Sequence, residues 1–266
     1  MKIGFIGTGN MGGALARAAA KGGHTLLLAN RTPAKAEVLA KELGGTVCQN
    51  AEAAEAAELL FLGVKPQGLP GLAGELAPVL QARKGNAPVV VSMATAVTLR
   101  ELDAMLGGGL PLIRIMPNTP AAVGAGTILY AAQNVTDAQL NAFRAVLAQA
   151  GLLLPLPEAQ IDAASAISGC GPAFCFQFAD ALALGGVRAG LSYPDACRLA
   201  AQTMLGAAEM LLKGGEAPDV LKMRVCSPAG TTIEGVLALE QGGFSYTVQN
   251  AVTAAYRRTV EMTRKG

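Results

Sequence analysis

Two clusters in this chain carry residue types whose spacing could do chemistry. Near the start, Gly7-Thr8-Gly9-Asn10-Met11-Gly12 spaces three glycines as G-x-G-x-x-G. Such a turn can bend tightly and let backbone N–H groups approach a pyrophosphate seated on the helix N-terminus that follows. Near the other end, Ser227-Pro228-Ala229-Gly230-Thr231-Thr232 places hydroxyls and a glycine ahead of Ile233. A helix start of that kind is rich in free N–H groups and short donors, which suits a carboxylate. Thr231 with Glu234 three residues later also fits a capping box, and the two readings can coexist.

The residues that are scarce narrow the chemistry further. His24 is the only histidine and follows Gly22-Gly23 at the entrance to a strand. A catalytic histidine is expected at the far ends of the strands, where open α/β sheets bind ligands, so the reaction should proceed without imidazole. The five cysteines, Cys48, Cys170, Cys175, Cys197 and Cys226, form no CxxC pair. They read as reduced, mostly buried thiols, with no metal site and no disulfide framework.

The elements that must position these clusters follow from the apolar pattern. Lys2 to Ile6 is a short apolar run, the glycine turn follows at once, and Gly13 to Lys21 reads as a helix. That order of strand, glycine turn and helix is the context in which the motif binds a dinucleotide. Further strands are expected at Thr25 to Ala29, Leu59 to Val64, Pro88 to Ser92, Leu112 to Met116 and Gly151 to Leu156. Helices are expected at Ala51 to Glu58, Leu69 to Leu80 and Leu99 to Leu106. Strands alternating with helices imply an α/β fold with a Rossmann-type, doubly wound parallel sheet. Pro157 marks a change to helices: Glu158 to Ile167, Phe174 to Leu184, Tyr193 to Lys213, Pro218 to Val225 and Phe244 to Arg264. The first two, joined through Ser168 to Pro172, could form one long bent segment. The expected division is 1–156 for the nucleotide domain and 157–266 for an all-helical domain.

The second strand ends at Asn30-Arg31, with no acidic residue before Glu37. A carboxylate at that strand end would hold both ribose hydroxyls of NAD and repel the extra phosphate of NADP, whereas Arg31 can pair with that phosphate. NADPH is therefore the expected cofactor, with NADH possible at lower preference. Arg31 also reads as a solvated charge before Thr32-Pro33, where Thr32 can cap a helix and Pro33 occupy its first turn.

Composition excludes other classes. At 266 residues and 52% hydrophobic, the chain can bury a core. A net charge of +2 with scattered Lys and Arg offers no basic stripe for nucleic acid. Apolar stretches are interrupted before about 20 residues, so no membrane span is expected. The N-terminus enters the glycine motif without an apolar leader, which points to the cytoplasm. In Tyr193 to Lys213 the apolar residues extend round more than one face, as Leu199, Met204 and Leu205 show, so self-association is expected.

Five segments in order resemble the pyrroline-5-carboxylate reductase family along nearly the whole chain. They are the glycine turn, Val64-Lys65-Pro66-Gln67, Arg114-Ile115-Met116-Pro117-Asn118-Thr119-Pro120, Ser168-Gly169-Cys170-Gly171-Pro172-Ala173, and Cys226 to Ile233. The resemblance implies reduction of 1-pyrroline-5-carboxylate to proline with NADPH, in a dimer with interleaved C-terminal helices or a ring of dimers. It implies cofactor contacts at Gly7, Thr8, Gly9, Asn10, Met11, Gly12, Asn30, Arg31, Val64, Lys65, Pro66, Met93 and Ala94. Asn50 is similar in position to a family asparagine near the adenosine ribose, although it also reads as an N-cap. Lys65 could equally be an ordinary loop lysine. Met116 and Asn118 would lie beside nicotinamide and substrate, in a loop stiffened by two prolines. Ser227, Gly230 and Thr231 would hold the substrate carboxylate, and Thr232, the expected catalytic residue, would hydrogen-bond the ring nitrogen.

The chain departs from the family pattern in three places. Ala229 stands where a second glycine is common, Cys170 where serine is common, and Met93-Ala94-Thr95-Ala96 lacks a glycine often seen there. Two rival readings share the cofactor fold. A β-hydroxyacid dehydrogenase would use a lysine on the first long helix of its second domain, but no lysine occurs between Lys84 and Lys213. An NADP-sensing regulatory protein would not need the Ser227 to Thr232 cluster.

Overall fold

The computed structural model describes residues 1–263. The chain forms two compact units, Met1–Cys170 joined by the end of the last helix from Tyr256, and Gly171–Ala255. In the first unit, β1 (Lys2–Ile6), β2 (Thr25–Ala29), β3 (Thr46–Val47), β4 (Leu59–Leu62), β5 (Val89–Ser92), β6 (Leu112–Pro117), β7 (Gly126–Gln133) and β8 (Gly151–Pro155) make one sheet. Its order is β3-β2-β1-β4-β5-β6-β7-β8. The strands β3 to β6 are parallel, as expected, and β8 is parallel to β7. β7 differs, running antiparallel to β6 with Pro117 opposite Ile128.

The central strands are buried on both faces and therefore read as continuous apolar runs, as in Leu59-Leu60-Phe61-Leu62. Phe5 and Phe61 stack across adjacent strands at 4.6 Å between ring centroids. On one face the core takes in Leu15, Leu39 and Phe143 from α1 (Asn10–Ala20), α2 (Pro33–Leu43) and, beyond the sequence-derived elements, a helix at Asp137–Leu147. On the other face, Ala53, Leu76, Leu102 and Ile161 come from α3 (Asn50–Ala56), α4 (Leu69–Ala82), α5 (Leu99–Met105) and the helix Glu158–Ser168. Numbered in chain order, the Asp137–Leu147 helix is α6 and the Glu158–Ser168 helix is α7.

Pro157 is where composition changes, yet α7 packs on β6 and β7 and belongs with the sheet. The buried Arg114 of β6 holds it there, pairing with Asp162 at 2.5 Å and Glu158 at 3.5 Å. Glu158 also accepts the Leu99 N–H at 2.6 Å, tying the start of α5 to the start of α7.

The second unit contains α8 (Gly171–Arg188), α9 (Tyr193–Gly214), α10 (Pro218–Val225), α11 (Thr231–Gln241) and most of α12 (Phe244–Thr263). The expected end of the last helix at Arg264 lies outside the described residues. α8 and α9 pack closely, because Gly186 leaves room for Ala196. Large apolar side chains remain exposed here, including Phe176 at 70%, Leu212 at 80% and Tyr246 at 71%. By length and composition, Glu158–Arg188 is apolar enough to cross a membrane, at a mean hydropathy of 1.3. The stretch is interrupted at Gly169-Cys170, between α7 and α8, as the sequence pattern of glycine and proline breaks leads one to expect.

Candidate active site

The glycine turn is built from mutual crowding. Gly7 has φ +99°, a left-handed conformation suited to glycine. A Cβ there would also meet the Gly63 carbonyl oxygen at 2.6 Å, and one on Gly12 would collide with the Gly7 carbonyl. Gly9, the N-cap of α1, faces open space instead, so its backbone is free to receive a ligand. The turn is pinned by Gly7 N–H to Ala29 carbonyl at 2.8 Å and Gly63 N–H to Ile6 carbonyl at 2.7 Å. Gly63 is a positioning residue that the motif does not include. Its signal was a glycine ending the apolar run before Val64.

Asn30 supplies a second clip. Its Oδ1 accepts the Thr8 N–H at 3.1 Å and its Nδ2 donates to the Thr32 carbonyl at 2.9 Å. The Thr8 hydroxyl oxygen is buried with no hydrogen-bond partner among the described residues. An orphaned donor beside open backbone fits a phosphate oxygen. A groove of about 440 Å³ opens beside the turn, lined by Thr8, Gly9, Asn10, Gly13, Lys35 and Val38. Arg31 is exposed at the exit of β2, and Met11 is half-buried in the first turn of α1.

Two expected caps differ from the structure. Gln49, not Asn50, is the N-cap of α3, closing a capping box with Glu52, because the helix starts one residue earlier than the asparagine reading requires. The Asn50 Nδ2 donates to Glu75 at 3.0 Å. Thr32 stands at the N-cap of α2 with Pro33 following, but its side chain makes no capping hydrogen bond.

The other strand exits gather at the same edge of the sheet. After β4, Val64 packs on the core, Lys65 is exposed, and Pro66 opens a short 3-10 turn. After β5, Met93 is half-buried and Ala94 buried, with the Ala94 N–H donating to the Ser92 hydroxyl at 3.3 Å. Ala96 has φ +63°. At the end of β6, Met116 is half-buried against the core, and Asn118, the residue after the strand, is buried. Both ends of the Asn118 carboxamide are engaged: Nδ2 donates to the Ser168 carbonyl at 2.8 Å, and Oδ1 accepts the Thr127 N–H at 2.7 Å. His24 lies at the opposite end of β2, next to the residue that opens it.

In the second unit, Gly230 is the N-cap of α11 and no side chain caps that helix. The capping box expected of Thr231 and Glu234 is therefore not formed, because Thr231 is already inside the helix. The free N–H groups and the Thr231 and Thr232 side chains remain available. Ser227 folds back under Gly230, whose N–H donates to the Ser227 carbonyl at 3.0 Å, and a Cβ at Gly230 would strike the Ser227 hydroxyl. Ala229 between them has φ +55°. The hydroxyls and free amides thus converge on one short segment, a geometry that can bind a carboxylate.

Comparison with known proteins finds a separate match for each half of the chain. Residues 158–262 match the family described as pyrroline-5-carboxylate reductase dimerisation, and residues 2–96 match NADP oxidoreductase coenzyme F420-dependent. The chain is 39% identical to the pyrroline-5-carboxylate reductase of Synechocystis sp., covering 100% of this chain and 99% of that protein. It is 38% identical to that of Pseudomonas aeruginosa, covering 98% and 96%. Among solved structures, a pyrroline-5-carboxylate reductase from Coxiella burnetii matches at TM-score 0.90 and 32% identity over 97% of each chain. The Plasmodium falciparum pyrroline carboxylate reductase with NADP bound matches at TM-score 0.86 and 30% identity over 99% of each. With full-length identity at this level and the glycine turn built as the fold requires, the chain belongs to the pyrroline-5-carboxylate reductase family.

Proposed function

We propose that the protein reduces 1-pyrroline-5-carboxylate to L-proline with NADPH. The observation that carries this reading is the full-length likeness to reductases of that name, joined to a glycine turn whose buried Thr8 hydroxyl lacks a partner. Bound NADPH would supply the hydride. Gly7 to Gly12 would hold the pyrophosphate, and Asn30 and Arg31 the phosphorylated ribose. Asn50 would lie toward that ribose, and Val64, Lys65, Pro66, Met93 and Ala94 toward the nicotinamide. NADH is expected to serve less well, because no carboxylate stands at the end of β2 to hold both ribose hydroxyls.

The substrate half of the reading assigns its carboxylate to Ser227, the Gly230 and Thr231 amides and the Thr231 hydroxyl. Thr232 would hydrogen-bond the ring nitrogen, and Met116 would form part of the wall against which the rings rest. A cyclic imine can enter already protonated, so the protein need supply little acid catalysis. Positioning and exclusion of water dominate, which suits a chain whose one histidine sits at the wrong end of its strand. Assembly as a homodimer or a ring of dimers, in the cytoplasm, belongs to the same reading.

Purified protein mixed with NADPH and the imine should consume reduced nicotinamide. Replacing Thr232 with alanine should lower kcat by about tenfold to a hundredfold, the worth of one hydrogen bond to a charged group, with NADPH affinity nearly unchanged. Normal turnover in that variant would remove Thr232 from the site.

A further inference from the structure

We infer that Asn118 is a positioning residue for this reaction, acting through the backbone segments it ties together. Its carboxamide is buried, at 8% exposure, and spends a donor on the Ser168 carbonyl and an acceptor on the Thr127 amide. Only one orientation of the amide satisfies both partners, since its nitrogen must face a carbonyl and its oxygen an N–H. Three segments are thereby joined: the exit of β6, the entry of β7 and the last residue of α7.

The first of these segments lies at the carboxyl edge of the sheet, where open α/β folds hold ligands. Its backbone has little other freedom. Pro117 and Pro120 restrict it, and Gly126 packs so close to Ala121 that a Cβ would lie 2.7 Å from the Ala121 Cα. The third segment ends at Ser168, after which Gly169-Cys170 leads the chain into the second unit. Arg114, on the same strand as the β6 exit, grips the start of α7 through Glu158 and Asp162. β6 and its exit therefore hold α7 at both ends, by Arg114 and by Asn118, and a displacement of the ligand-edge loop is also a displacement of the end of α7. The site needs this coupling because hydride transfer depends on fixed approach rather than on acid catalysis.

The inference rests on the reductase reading, and two variants separate the two. Asn118→Asp keeps an acceptor for Thr127 but sets a second acceptor against the Ser168 carbonyl, whereas Asn118→Ala removes both bonds. Both should lower kcat by about tenfold to a hundredfold while KM for the imine and for NADPH holds within about twofold. Hydrogen exchange should show the Thr127 amide still protected in the Asp variant and released in the Ala variant, with faster exchange at Gly169 and Cys170 in both. A raised KM for the imine at unchanged kcat would mean direct substrate contact and overturn the inference. So would unchanged kcat in both variants, or failure of both to fold, which would make Asn118 an element of stability alone. Inactive wild-type protein would sink the reductase reading instead, and the exchange pattern would still decide whether the bridge exists.

Discussion

Alanine in the left-handed region costs roughly 1–2 kcal/mol relative to the right-handed one, a cost glycine escapes. Ala96 at φ +63° and Ala229 at φ +55° both stand there, one beside the exit of β5 and one within the hydroxyl cluster before α11. Both therefore hold a backbone that glycine adopts more readily than alanine. Ala229→Gly should raise the unfolding free energy in urea titration by up to about 1 kcal/mol after the extra freedom of the unfolded chain is subtracted. A drop like that of Ala→Gly inside a helix would contradict the left-handed backbone. At this scale, the sequence made Gly7, Gly9 and Gly12 readable because a local turn specifies them. Gly63 and Asn118 were not readable in the same way, since their work depends on partners brought near by the sheet.

At the scale of elements, the cofactor edge depends on how each strand exit is stopped. The loop after β5 ends at Thr98, whose side chain caps α5 while Glu101 reaches back to the Thr98 N–H and hydroxyl, each at 2.7 Å. Those hydrogen bonds hold the Glu101 carboxyl below its ordinary range. A group depressed in the folded state stabilises the fold above its unfolded pKa and loses that contribution as pH falls through the lowered value. Thr98→Ala should cost about 1 kcal/mol at neutral pH in urea titration and flatten the pH dependence on the acid side. An unchanged acid limb would place the stabilisation elsewhere. Most elements were legible because buried parallel strands read as apolar runs. β7 and α6 escaped because Gly126–Gln133 returns antiparallel, with no crossover pattern to announce it. Thr136 and Gln139 do carry a capping-box signal for α6.

At the scale of the whole molecule, the second unit exposes more large apolar surface than one chain should leave in water. Its match to a dimerisation family accords with a homo-oligomer, and partner binding adds to stability by mass action. The thermal midpoint should therefore rise with protein concentration, and Leu212→Glu, at an 80% exposed position, should weaken that dependence. A midpoint independent of concentration would contradict the reading. Hydride moving from the nicotinamide to the imine carbon can be followed by isotope transfer. With NADPH deuterated at the transferred position of C4 and 1-pyrroline-5-carboxylate as acceptor, mass spectrometry should find proline carrying a single deuterium. Oxidised cofactor without labelled proline, or no proline at all, would contradict it.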